Sequence, residues 1–348
     1  MKGKGWVAAA ACAALIAGGF FAAREWYDRK VPNFTESIDC YVVPGESAWD
    51  LADSLAASGS VKRPGSLRRA FKAEAVEEGL RVGHYTVPAT ASSRYVARMF
   101  THGWQTPVNM TLSGAIRSPR ALARKIGAQM LADSAAVASF VLSDDSLSRY
   151  GVDTTLLFTI VIPDTYQIYW TAPVGEIMDR LALAADKFWT PERLRKAKAL
   201  GLTRQEVVTL ASIVDGETRY VPEQPTIAGV YLNRLRKGMK LQADPTVAYC
   251  YGYTLNRIFK SHLSIDSPYN TYKYAGLPPG PISCPPKSCL EAVLDPDVHS
   301  YIFFCANPAF NGSHLFATTY SEHLVNARAF QKALTKRLAE RAANSAAK

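Results

Sequence analysis

Leu210-Ala211-Ser212-Ile213-Val214-Asp215-Gly216-Glu217-Thr218 is the stretch from which fold and chemistry are read together. It closes a helix whose start is encoded just upstream. Thr203-Arg204-Gln205-Glu206 is a capping box, with Thr203 as N-cap and Glu206 reaching back to its backbone N–H. At about 100° per residue, Val207, Leu210, Val214 and Glu217 share one face. The pattern predicts a carboxylate at the end of an apolar stripe, in the last helical turn. Burial and the negative end of the helix dipole both penalise its charged form. Each raises its pKa toward the range a general acid needs near neutral pH. Asp215, about 140° around the wheel from Leu210, is expected to face solvent. An acid in a last helical turn is most often a solvated surface residue, so the position alone assigns no chemistry.

The 348 residues suffice for about two domains with real cores. A formal charge of +10, spread along the chain, suits an anionic partner such as nucleic acid, lipid headgroups or an acidic polymer, and equally suits solvated basic faces. The N-terminus narrows this. Lys2 and Lys4 precede an uncharged stretch from Trp6 to Ala23 that Arg24 ends. Its length is near the lower limit for a membrane-spanning helix, and Phe21 spoils an Ala-x-Ala cleavage site before Ala23. The reading is an uncleaved single-pass anchor in the inner (plasma) membrane, N-terminus cytoplasmic, with Trp6 and Trp26-Tyr27 at the interfaces. The body then lies on the periplasmic side, which argues against nucleic acid as a partner. Cys40, Cys250, Cys284, Cys289 and Cys305 lack zinc spacing. Buried free thiols are the default, and any disulfide pairing stays open.

Six segments are expected: a cytoplasmic tip (1–5), the anchor (6–24), a linker (25–37), a small αβ domain (38–107), a catalytic domain (108–335) and a basic tail (336–348). In the small domain, Tyr41-Val42-Val43 reads as a strand, Pro44-Gly45-Glu46 as a turn and Ser47 as the cap of a helix through Leu55. This opening resembles a LysM-type carbohydrate-binding module, and scaffold and glycan-binding roles stay equally open. Further on, Val108–Leu112 and Leu156–Ile162 read as strands. Asp244 reads as the N-cap of a helix with Pro245 at its first position. Ser267–Pro286 is rich in Pro, Gly and Tyr and too long for a plain connector. Tyr301–Ala306 and Leu315–Thr318 read as two strands. Thr319 to Glu322 is a second capping box, opening the C-terminal helix. The fold class is α+β: a transmembrane helix, a small LysM-like αβ domain and a larger mixed α/β catalytic domain.

Phosphate-binding glycine loops, His-Glu-x-x-His and Gly-x-Ser-x-Gly are all missing from the sequence. His314 and His323 have no supporting carboxylate cluster, so no metal site is expected, and no cofactor is implied. Carboxylates and amides remain, a set suited to glycoside chemistry. Six segments in order then carry a resemblance: Ile162–Tyr166, Leu210–Thr218, Ile227–Gly238, Leu241–Val247 (LQADPTV), Ser267–Pro281 (SPYNTYKYAGLPPGP) and Phe316–His323. Over residues 40 to 335 the chain resembles the YceG-like endolytic murein transglycosylases. Asp215-Gly216 departs from the Glu-Lys of many relatives, Cys284-Pro285-Pro286 from Asn-Pro-Gly, and Thr159-Ile160 from Glu-Gly.

The resemblance implies cleavage inside peptidoglycan glycan strands at MurNAc-β-1,4-GlcNAc bonds, leaving 1,6-anhydroMurNAc ends and stopping elongation of nascent strands. It maps the catalytic glutamate onto Glu217, which protonates the leaving oxygen and then accepts the C6 hydroxyl proton. Asn233, Gln242, Asp244, Tyr269, Asn270, Tyr272 and Glu322 are candidate substrate-binding residues. For each, capping or packing is the competing role. Association with cell-wall synthesis machinery is also implied. A non-catalytic peptidoglycan-binding scaffold and a lysozyme-type muramidase are the alternatives.

Overall fold

The computed structural model describes residues 3–346, without the side chains of 3–5, 7–8 and 342–346. Met1, Lys2, Ala347 and Lys348, the extremes of the expected tip and tail, lie outside the described residues. The chain divides into two units: residues 1–110 with 167–172, and residues 111–166 with 173–348.

The first unit contains α1 (Gly3–Lys30), β1 (Ile38–Val42), α2 (Ala48–Ala57), α3 (Pro64–Ala73), α4 (Val76–Gly79), β2 (Gly83–Val87) and α5 (Ser93–His102), and ends in β3 (Val108–Thr111). Strands β1 and β2 pair antiparallel, Cys40 opposite Tyr85. Ser47 and Ser92 cap α2 and α5, each accepting from a backbone N–H three residues on. Leu51, Leu55, Leu67, Phe71, Tyr85, Val96 and Phe100 fill one core. The end of α1 is tied to it through a buried carboxylate: Asp28 takes two hydrogen bonds from Arg69, at 2.8 and 2.9 Å, and one from Ser66. Along its other turns α1 leaves Leu15, Ile16, Phe20 and Phe21 exposed. Among the described residues no helix is long and apolar enough to cross a membrane. The stretch Trp6–Ala23 includes Val7 and Ala8, whose side chains are not among those described.

The second unit contains α6 (Pro119–Gly127), α7 (Ser134–Val141), α8 (Asp144–Ser148), β4 (Thr165–Ile168, entering the first unit at Gln167), α9 (Val174–Phe188), α10 (Pro191–Ala199), α11 (Arg204–Glu217), α12 (Gln224–Arg236), α13 (Asp244–Cys250), α14 (Lys287–Leu294), the antiparallel pair β5 (Phe303–Ala306) and β6 (His314–Ala317), and α15 (Tyr320–Ala346). The expected strand over Leu156–Ile162 is instead a 3₁₀ turn at Leu157–Thr159, where Leu157 and Phe158 are buried without a strand partner. A short apolar run does not by itself distinguish the two.

At the centre lies α11. Its capping box forms as read, Thr203 Oγ1 accepting from Glu206 N and Glu206 from Thr203 N. The expected single stripe does not hold, because all eight residues from Val207 to Val214 are buried. Helices α12 and α14 pack against α11, and Ile227, Tyr231, Leu290 and Val293 join Leu210 and Ile213 in one core. Each such side chain contributes about 1.5–3 kcal/mol by leaving water. Ser212 fits this core by donating to Thr209 O and accepting from Ile282 N at 3.0 Å, which pins the Pro- and Gly-rich segment to the helix.

Candidate active site

The last turn of α11 opens into a cavity of about 330 Å³ lined by Glu217 with residues from α12, the 241–244 turn, Tyr272, β5 and the start of α15. Glu217 ends the central helix, so its backbone is fixed by the fully buried run Val207–Val214 that precedes it. Three residues apart on α12, Tyr231 and Arg234 share a face and both line the cavity. The Tyr231 hydroxyl donates to Glu217 Oε1 at 2.5 Å. Arg234 is 8% exposed, and its guanidinium donates to Ile302 O (2.6 Å), Leu241 O (2.9 Å), Lys240 O (3.1 Å) and Gln242 Oε1 (3.2 Å). These bonds clamp the 240–242 turn and the entry to β5 around one buried cation. Burial lowers the Arg234 pKa from its ordinary value, and arginine stays charged at any working pH.

The electrostatics centre on Glu217. Its pKa is raised to about 7, first by burial and further by the Asp244 charge; the Tyr231 hydrogen bond and Arg234 pull the other way. Tyr231 is itself pushed well above its ordinary value by burial and by Glu217, so it remains a donor.

Of the seven residues expected beside Glu217, three line the cavity. Gln242 does so with a left-handed backbone (φ +52°), its N–H bonded to Thr271 O. Tyr272 donates to Asp244 Oδ1 at 2.6 Å. Asp244 is not the N-cap: that position falls to Ala243, Asp244 becomes the first helical residue, and its carboxylate points to the cavity wall.

The other four do not line this cavity, and their side chains are engaged elsewhere. Asn233 donates to His299 O and Tyr301 O, at 2.8 and 3.0 Å. Asn270 is fully buried, donating to Leu263 O and Ile265 O and accepting from Tyr272 N, which sets the loop carrying Tyr272. Tyr269 packs against Tyr249, with centroids 4.5 Å apart and the rings tilted by 37°. Glu322 caps α15 by accepting from Thr318 N and Thr319 N, at 2.9 and 3.1 Å, and those bonds hold its carboxyl below the ordinary range.

Asp215 is also reassigned. It is half-buried rather than solvent-facing; burial pushes its carboxyl up while Arg219, Ser283 and Arg117 pull it down. The residues that sequence reasoning missed are Tyr231, Arg234, Phe303, Phe304, Tyr320 and His323. For Tyr231 and Arg234 the signal was their helical spacing; Phe303 and Phe304 come from the distant hairpin and Tyr320 and His323 from the start of α15. His314 and His323 part company: His314 Nδ1 meets Glu223 at 2.9 Å, while His323 stacks on Phe303 and lines the cavity. Burial and Arg234 lower the His323 pKa, and its Nδ1 has no partner among the described residues. Among the described residues no three His, Cys, Asp or Glu side chains converge on a metal position, and all six cysteines are free.

A carboxyl whose pKa is raised to about 7, beside a hydroxyl and a guanidinium and walled by aromatics, is an arrangement suited to acid–base chemistry. The YceG-like family pattern matches residues 40–329, most of the chain, and the protein belongs to that family. The endolytic murein transglycosylase of Bacillus subtilis (strain 168) is 44% identical over 118 residues, 34% of this chain and 32% of that one. That of Streptococcus pneumoniae serotype 2 is 30% identical over 184 residues, 51% of this chain and 32% of that one. The chain thus spans about a third of the length of these curated relatives. A crystal structure of a yceG-like protein from Listeria monocytogenes aligns with a TM-score of 0.52 at 26% identity, covering 83% of this chain and 98% of that one.

Proposed function

We propose that this protein is an endolytic peptidoglycan lytic transglycosylase, cutting MurNAc-β-1,4-GlcNAc bonds within glycan strands with Glu217 as its acid and base. The observation that carries this reading is the place of the Glu217 carboxyl, at a buried helix end in a cavity it shares with Arg234 and with the Tyr231 hydroxyl that donates to it; burial raises its pKa to about 7. Protonated Glu217 gives its proton to the glycosidic oxygen as the C1–O bond breaks. The resulting carboxylate is stabilised by Tyr231 and Arg234. It then takes the C6 hydroxyl proton of the same MurNAc, whose oxygen bonds to C1 and closes the 1,6-anhydro ring. The acid is regenerated and no water is consumed. Phe303, Phe304 and Tyr320 supply faces for sugar rings.

Asp244 supports a second reading. It puts another carboxylate in the Glu217 cavity, which a lysozyme-type muramidase would use as nucleophile or to activate water. In the transglycosylase reading Asp244 instead offsets positive charge developing at C1, its orientation held by Tyr272.

The anchor belongs to the same proposal. The apolar stretch Trp6–Ala23 and the exposed Leu15, Ile16, Phe20 and Phe21 of α1 support a single inner-membrane span, with the body outside the cytoplasm near cell-wall synthesis machinery. The LysM-like reading of 38–107 assigns that module to holding the glycan or the catalytic unit in place. The test uses the full chain in detergent with uncrosslinked glycan strands. Glu217→Gln should retain folding and binding to sacculi while losing turnover by about 10²–10⁴. A fully active Glu217→Gln would remove the mechanism. A wild-type protein that binds strands without cutting them would instead leave a non-catalytic scaffold.

A further inference from the structure

A second cavity, of about 250 Å³, flanks the same helix end and is lined in part by Arg117, Asp215, Arg219, Gln224 and Ser288. The acid–base chemistry uses none of these. Asp215 precedes Glu217 by two residues, so one helical turn contributes a carboxylate to each cavity. Arg117 and Arg219 are exposed, and neither forms an ion pair among the described residues. The Arg117 guanidinium lies 4.7 Å over the Tyr253 ring, which steadies the group and leaves its N–H edge available. Gln224 is 2% exposed, and its Oε1 has no hydrogen-bond partner among the described residues. A buried amide oxygen without a donor is costly, and a ligand N–H would satisfy it. The only bond to the Asp215 carboxylate among the described residues is a long one from Ser283, at 3.4 Å.

The cavity therefore presents two forked cations and two acceptors together. A phosphate would be repelled by Asp215 and would offer Gln224 nothing. A short peptide with a free carboxylate and N–H or ammonium groups matches all four, since guanidinium forks take carboxylates bidentately. We infer that this cavity is a subsite for the peptide stem of the glycan substrate, with Arg117 and Arg219 taking a stem carboxylate and Asp215 and Gln224 Oε1 taking stem ammonium or amide groups. The inference rests on the proposed glycan-cleaving function and extends it. The stem hangs from the lactyl group of MurNAc, the sugar whose C1 bond would break at Glu217, so a stem site must lie near the end of α11, where this cavity is.

Two measurements test it, both on the full chain in detergent. Calorimetric titration with the free tetrapeptide L-Ala-γ-D-Glu-meso-diaminopimelate-D-Ala should detect binding, weakened about tenfold by Arg117→Ala and by Arg219→Ala. Arg219→Lys, which keeps the charge and loses the fork, should weaken it less. Initial rates are then compared on strands bearing stems and on strands stripped of them by an amidase. The alanine variants should raise KM about tenfold on stem-bearing strands, leave kcat unchanged, and match the wild type on stripped strands. No tetrapeptide binding by the wild type, or equal KM changes on both substrates, would overturn the inference. Absence of cleavage on both strands would instead count against the proposed activity, with the titration still deciding the subsite.

Discussion

Replacing Tyr231 with Phe deletes one oxygen, the donor to Glu217 Oε1. That hydrogen bond is the leading influence favouring the ionised carboxyl, and burial is the leading one opposing it. Removing the donor leaves burial and the Asp244 charge less opposed, so the Glu217 pKa must rise. A hydrogen bond to a charged group contributes about 1.5–3 kcal/mol. One pKa unit corresponds to about 1.4 kcal/mol, so the expected rise is on the order of one to two units. The general acid acts in its protonated form, so the rate falls as pH climbs through its pKa. In the wild type this alkaline fall is centred near the Glu217 value of about 7. In Tyr231→Phe it should move to higher pH by about one to two units. The assay is the initial rate of strand cleavage between pH 5 and 10, with circular dichroism to confirm the fold at each pH. An alkaline limb that stays in place or moves to lower pH would refute the assignment of Glu217 as the titrating acid.

Other outcomes follow from the same geometry. Asp244→Asn removes a charge that raises the Glu217 pKa, so the alkaline limb should move to lower pH. At pH 6 the loss of rate should stay within about tenfold, whereas a muramidase dependent on Asp244 would lose about a hundredfold or more. Because Glu217 is raised in the folded protein from 4.5 to about 7, the fold holds a proton that the unfolded chain gives up. Stability is therefore lost as pH climbs between those values, by about 3–4 kcal/mol. Glu217→Gln should accordingly melt above the wild type at pH 8, with the gain disappearing below pH 4.5; an equal gain at both pH values would contradict this. Gly229 faces His299 so closely that a Cβ would lie 2.6 Å from its Nε2 and 2.8 Å from Asp297 O. Gly229→Ala should destabilise by about 1–3 kcal/mol in chemical denaturation and reduce activity by shifting the segment that leads into Phe303.

What could be read in advance was local. The Thr203 capping box and the place of Glu217 in the last turn of α11 depend on residues within one helix, and both are present. The burial of Asp215 was not readable, because an amphipathic wheel assumes one solvated face. Helices α12 and α14 cover α11 through residues distant in sequence, and Asp215 meets Ser283 of the Pro- and Gly-rich segment that leads into α14. Asp244 read as a cap because Asp-Pro usually marks a helix start. The left-handed backbone at Gln242 and the Thr271 bonds to the 242–243 backbone set the start one residue earlier, which turns the carboxylate toward the cavity. Glu322 went the other way, because a capping box satisfies its carboxylate locally before any ligand does. Phe303, Phe304 and His323 join Glu217 only through tertiary packing of the C-terminal hairpin and helix.

In the proposed mechanism Glu217 cycles one proton while the substrate's own C6 hydroxyl attacks C1. An intramolecular hydroxyl has an effective concentration far above that of an unbound nucleophile, so water need not be activated. Cleaving uncrosslinked strands in ¹⁸O-water and weighing the new MurNAc termini tests this directly. Termini one water lighter than hydrolytic ends, resistant to borohydride and free of ¹⁸O, are expected. Reducible termini carrying ¹⁸O would contradict this mechanism and assign the Glu217–Asp244 pair to hydrolysis.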